Sequence, residues 1–356
     1  MSGFGSNERK TKKSEEKKIK TLQRDKLISN AFSLHSSGKI KEAADVYNFL
    51  IQKKIYDPRV FNNLGSIYSN LKQFDKAILL FDESIKKFPN SLEAYINLAN
   101  VMIIKGKSDI AKKILNKVIE LNPNYLKPYS NLAGIFVGEG NFEKAEFFLR
   151  RSLEINPKDI NTLVNLACVL KDLGNPKQAE RFLRDALEIN PKYDSALVNL
   201  GAVLNELGKI DEGEEFLKKA LKINPNSPMA LNNLGNILSK KNKNKEAELF
   251  YRKAIELKSD FFLAYDNLGS LLSKQGNLIE AEKFTEKAIN YNPKFELAYV
   301  NLGSIKIDLD KLLEAEELFL KAIQINENYS YAYRNLFRLY ELSLIHISEP
   351  TRLRSI

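Results

Sequence analysis

Apolar residues along this chain recur at the three- and four-residue spacing of amphipathic helices, and the helical pattern itself repeats. The segment Phe61 to Asn90 returns as Tyr95 to Asn124, 34 residues later, and the period then holds without insertion or deletion. Counting from Arg24, nine full units begin at residues 24, 58, 92, 126, 160, 194, 228, 262 and 296, and a tenth begins at Ser330 and stops half-way. In the unit at 126, Tyr129, Leu132, Ala133 and Phe136 stand at places 4, 7, 8 and 11 and form one apolar stripe on a first helix. Small residues recur on a second helix, at Ala111, Ala145, Ala179, Gly213, Ala247, Ala281 and Ala315, where two helix backbones must approach to about 8–10 Å. Glycine at the turn between the two helices (Gly38, Gly106, Gly140, Gly174, Gly208, Gly276) predicts a left-handed residue there, and Lys72, Asn242 and Asp310 depart from it. The Asn-Pro pairs at 122–123, 156–157, 190–191, 224–225 and 292–293 predict where second helices stop, because proline restrains its predecessor and donates no backbone bond; Ser259 and Glu327 replace that proline later.

These residues resemble the tetratricopeptide repeat family, whose pattern falls in the unit at 126 on Tyr129, Leu132, Ala133, Phe136, Gly140, Ala145, Leu149 and Pro157. The resemblance covers residues 24–342 and implies an all-α fold: a right-handed α-solenoid of antiparallel helix pairs, nine and a half repeats long. Residues 1–23 precede the array as a Ser- and Lys-rich leader with seven Lys/Arg against three Asp/Glu, expected to be flexible. Residues 343–356 break the repeat and look like a translated sequencing-adapter read-through, so the natural protein is expected to continue. The half unit would leave Leu336, Leu339 and Tyr340 without a second helix over them.

Composition removes several chemistries. Cys168 is the one cysteine, and His35 and His346 stand more than 300 positions apart, so no disulfide, zinc site or Cys-His nucleophile pair is expected, and no cofactor. No apolar run reaches the roughly 18 residues of a membrane span, which makes a cytoplasmic protein without membrane contact the expectation. Gly106-Lys107-Ser108 imitates the end of a phosphate loop, but Val101 stands where its first glycine belongs; Gly138-Glu139-Gly140 lacks a third glycine and a preceding strand. Glu214-Glu215 and Glu316-Glu317 read as solvated helix faces. Cys168 reads as a small filler, and the chain as no enzyme.

Places 2, 5, 6, 9, 12 and 13 of each first helix share the face opposite the apolar stripe, which in the resembling family lines a concave groove. Place 6 is asparagine in nine successive units: Asn63, Asn97, Asn131, Asn165, Asn199, Asn233, Asn267, Asn301 and Asn335. An amide offers an acceptor and two donors, so such a ladder can hold an extended peptide without reading its side chains, as the similar ladder of O-linked N-acetylglucosamine transferase repeat arms implies. Ile96, Ile103, Ile104 and Val137 concentrate apolar character on this face and are expected to receive a partner's hydrophobic side chain. The net charge is +10, yet the face carries seven basic residues (Arg59, Lys127, Lys171, Lys240, Lys274, Arg334, Arg338) against seven acidic (Asp25, Glu93, Asp172, Glu206, Asp266, Asp308, Glu341). That balance argues against a nucleic-acid partner. The expected function is a scaffold that binds extended or helical segments of partner proteins. The alternative is the substrate-recruiting arm of a larger, glycosyltransferase-like enzyme continuing after Leu342; long bacterial arrays are fused in this way, and the Lys-, Ile- and Asn-rich composition suggests a bacterial origin. Oligomeric state is left open.

Overall fold

The computed structural model describes the backbone of residues 23–348, and side chains as far as Glu341. Nearly the whole leader and residues 349–356 of the tail lie outside the described residues. The chain divides between Thr162 and Leu163 into two compact units. The first contains α1 (23–36), α2 (Ile40–Gln52), α3 (Pro58–Asn70), α4 (Phe74–Lys87), α5 (Leu92–Ile104), α6 (Ser108–Leu121), α7 (Lys127–Gly138) and α8 (Phe142–Ile155), while the division itself falls within α9 (Ile160–Asp172). The second continues with α10 (Pro176–Ile189), α11 (Asp194–Glu206), α12 (Ile210–Ile223), α13 (Pro228–Lys240), α14 (Asn244–Leu257), α15 (Phe262–Lys274), α16 (Leu278–Tyr291), α17 (Glu296–Asp308), α18 (Leu312–Ile325) and α19 (Ser330–Ser348). Each unit is an all-α solenoid of stacked helix pairs: consecutive helices pack on one another, and successive first helices also touch, as α13 touches α15 and α15 touches α17.

The turns form where the sequence places them. All six turn glycines have φ between 71° and 82°, and Lys72, Asn242 and Asp310 adopt the same left-handed conformation at 59–60° despite their Cβ atoms. Lys54, after α2, joins them at 57°. Second helices stop one residue before Asn122, Asn156, Asn190, Asn224, Asn292 and Asn326, and each of these side chains accepts a bond from the backbone N–H two residues on. The asparagine closes an Asx turn even at Asn326-Glu327, where no proline follows.

Packing between the two helices of a repeat rests on matched volumes. The small residues expected on the second helix, Ala111, Ala145, Ala179, Ala247, Ala281 and Ala315, are fully buried. At place 8 of the first helix, a Cβ added to Gly65, Gly235 or Gly303 would come within 2.5–2.6 Å of the buried ring of Phe81, Tyr251 or Phe319. Where place 8 is Ala99, Ala133 or Ala167, the corresponding residue is instead the smaller Leu115, Leu149 or Leu183, again buried. Ala31 with Tyr47, and Gly201 with Leu217, show that helix separation adjusts as well.

The last helix, α19, runs to Ser348. Leu339 is only 2% exposed because α19 packs against the preceding repeat, whereas Tyr340 is 44% exposed and donates to Glu316 on α18.

Candidate functional site

The ladder asparagines lie on successive first helices with Asn165 exposed and the other eight half-buried. Six of them donate through Nδ2 to their own repeat or to the preceding one. In the first unit Asn63 reaches Tyr47 Oη at 3.1 Å and Asn131 reaches Asn100 Oδ1 at 2.8 Å. In the second, Asn199 reaches the carbonyl of Ser195 at 2.9 Å, Asn267 reaches Asn232 Oδ1 at 2.9 Å, Asn301 reaches both carboxylate oxygens of Asp266 at 3.0 Å, and Asn335 reaches the carbonyl of Tyr331 at 2.7 Å. Asn97, Asn165 and Asn233 have no side-chain hydrogen bond among the described residues. The ladder is therefore partly a device that links repeats.

Place 5, read from the sequence as groove-lining, is a buried seam in most repeats, with Ser130 half-buried and Arg334 exposed. Because successive first helices touch, place 5 of one repeat faces place 6 of the next, as Asp266 faces Asn301. Ile96 is 4% exposed for this reason, and the expectation that it lines an open pocket is corrected. Ile103 is half-buried, and Ile104 and Val137 remain exposed at 62% and 41%. Asp266 is likewise withdrawn from the surface charge of the face, and burial, partly offset by the bond from Asn301, pushes its carboxyl up to about 6. Asn232 and Asp266 are two polar residues that this seam sets against the ladder asparagine of the next repeat.

Part of the remaining charge on the face is paired locally. Lys127 lies 2.9 Å from Glu93, which also accepts from Tyr125 at 2.8 Å. Partial burial pushes the Glu93 carboxyl up, and those two bonds more than reverse it, leaving it below the usual range. Lys171 pairs with Asp172 at 3.2 Å, and Lys240 donates to the carbonyl of Asn205 at 3.1 Å. Arg59 pairs with Asp57, which caps α3.

Other singled-out residues take structural places. Gly106 is the left-handed turn between α5 and α6, with no strand before it. Glu215 is exposed, but Glu214 is not the solvated residue expected: it is 9% exposed, and bonds from Lys218 and Lys241 pull its carboxyl down to about 2. Cys168 is half-buried, and burial raises its thiol above the ordinary value, which lowers thiolate availability. Two clefts escaped the sequence reading: one of about 490 Å³ between α6 and α8, lined by Ile119, Tyr129, Phe147 and Phe148, and one of about 440 Å³ between α16 and α18 around Lys306. Among the described residues no cluster of three or more Asp, Glu, His or Cys could hold a metal ion, and no helix is long and apolar enough to cross a membrane.

Comparison with known proteins agrees with this architecture. Residues 263–295 and 297–329 each match a tetratricopeptide repeat model. The BBSome complex member BBS4 of Bos taurus is 35% identical over 102 residues, and that of Mus musculus 34% over 96; each match spans 27% of this chain and 18% of the relative. A tetratricopeptide repeat protein from Parabacteroides merdae superposes with a TM-score of 0.60 at 22% identity, covering 70% of this chain and 99% of that one. The human IFIT1 dimer with m7Gppp-AAAA gives 0.63 at 19%, covering 89% and 81%. At these identities the two structures speak to the fold. Residues 20–265, more than half of the chain, match the model of the Cilia and flagella-associated protein 70 C-terminal domain, and the chain belongs to that tetratricopeptide-repeat family.

Proposed function

We propose that this protein is a non-catalytic scaffold that holds segments of partner proteins along the ladder face of its first helices. The observation that carries the reading is the asparagine at place 6 in nine successive repeats. Linking repeats accounts for Asn63, Asn131, Asn267 and Asn301, and Asn199 and Asn335 bond within their own helix, but neither role accounts for Asn97, Asn165 and Asn233, whose amides stay available. Ile104 and Val137 add exposed apolar surface for a partner side chain in the first unit. A role within a multiprotein assembly fits a relative that is itself a complex member, and the family name points toward cilia and flagella. Action from the cytoplasm, with no membrane contact, belongs to the same reading.

The fold alone does not exclude nucleic acid, since the human IFIT1 structure carries a capped oligoribonucleotide. The pairing of Lys127 and Lys171 with acids on the same face favours protein instead. Panning displayed random peptides against the chain tests the reading. The triple change Asn97→Ala, Asn165→Ala and Asn233→Ala should weaken the enriched peptides at least tenfold with helicity unchanged, given about 0.5–1.5 kcal/mol for each lost bond. Unchanged affinity would sink it.

A further inference from the structure

Arginine fills two of the grooves between successive second helices. Arg184 on α10 lies 5.8 Å from the ring centroid of Phe216 on α12, and it bonds Glu180 on its own helix and Glu212 on α12. Arg252 on α14 repeats the arrangement with Phe284, Glu248 and Glu280. In each case the arginine stands at place 25, one acid at place 21, and the other at place 19 of the next unit. Between α16 and α18 both acids recur as Glu282 and Glu314, but place 25 is Glu286. Lys306 of α17, 7% exposed, bonds the two acids instead. A lysine that arrives from the first helix does not lay its stem across the groove, and a cleft of about 440 Å³ stays open.

We infer that this cleft is a docking site for an arginine side chain on a basic segment of a partner protein, separate from the ladder. Glu286 and Glu317 line it, both are exposed, and neither has an ion pair among the described residues. Three lining carboxylates, Glu286, Glu314 and Glu317, stand against two lysines. Of these, Lys306 is already shared between Glu282 and Glu314, and Lys321 donates to Gln324. The floor of Tyr299, Leu302 and Leu318 suits the methylene stem of an arginine. A planar guanidinium can bridge two carboxylates, where an ammonium acts as a point charge. The incoming side chain would take the place that Arg184 and Arg252 hold in their own grooves. The cleft between α6 and α8 supplies the contrast: Asn116 at place 25 leaves it open too, but Lys112 and Lys144 occupy the places of the two acids, so it offers arginine no clamp.

The test uses the full chain with labelled leucine methyl groups and the acetylated, amidated peptide Gly-Ser-Arg-Ser-Gly, followed by NMR. The expected result is saturable shifts of the Leu302 and Leu318 methyls. Affinity should fall about fivefold when citrulline or lysine replaces the arginine, and about fivefold in the Glu317→Gln variant, the scale of exposed ion pairs. Glu286→Arg should abolish the shifts with helicity unchanged, because the new side chain closes the groove as Arg252 closes its own. Equal binding of the citrulline or lysine peptide, or binding that survives Glu286→Arg, overturns the inference. Free arginine that binds more tightly than the peptide overturns the protein occupant, and the absence of any saturable shift overturns the site.

Discussion

Replacing Gly303 by Ala tests the volume matching that holds each helix pair together. The new Cβ would sit 2.5 Å from Phe319 Cε1 and 2.9 Å from its Cδ1. The ring is fully buried and cannot swing away. Overpacking of this kind costs about 1–3 kcal/mol, while Ala in place of a helical Gly returns about 1 kcal/mol, so the net loss should be up to about 2 kcal/mol. Phe319→Leu alone leaves a cavity and should cost about 1–2 kcal/mol, well short of the roughly 3–5 kcal/mol for a full Phe→Ala truncation. The double variant recreates the pairing of Ala99 with Leu115 and of Ala133 with Leu149, so the clash disappears and the helical gain remains. The two changes should therefore couple favourably by about 2 kcal/mol in a double-mutant cycle. Urea denaturation followed by far-ultraviolet circular dichroism measures the cycle. Hydrogen exchange in α17 and α18 localises the effect, since repeat arrays need not unfold in one step. A stabilised Gly303→Ala variant, or strict additivity, would refute the reasoning.

Two further outcomes are expected. Lys72→Gly and Asp310→Gly relieve left-handed backbone at 59° and 60° and should each raise stability by up to about 1 kcal/mol, while Gly140→Ala, at 73°, should lower it by about as much; thermal melts of the three variants check this. Asp266→Asn should stabilise the protein near neutral pH, because the folded carboxyl, raised to about 6 from 3.8, resists ionisation and the folded state is penalised above that value. The gain should be about 2–3 kcal/mol at pH 7.5 and fade as pH falls from 6 toward 4, with the introduced amide reproducing the acceptor role that Asn232 plays toward Asn267; a stability difference that does not depend on pH would contradict the assignment.

Local features were the most legible. The 34-residue period, the turn at Gly140 and the stop at Asn156-Pro157 depend on residues close in sequence, and the helices begin and end there. Features that depend on how one repeat meets the next were not. The periodicity of a single helix puts place 5 on the same side as place 6, and only the touching of α15 and α17 reveals Asp266 as buried and Asn301 as its partner. Glu214 misled for the same reason, since Lys241 lies at the far end of the next repeat's first helix. Ile96 followed its place into the seam, while Ile104, at place 13, stayed outside.

The central claim, that partners lie along the ladder face, is tested most directly by placing a photo-crosslinking amino acid at Ser270, beside Asn267 on α15, or at Leu249, which is 66% exposed on the second helix α14. Each variant is irradiated with a display-selected peptide. The account predicts a crosslink from position 270 that excess unlabelled peptide abolishes, and none from position 249. Crosslinking confined to position 249 would contradict it.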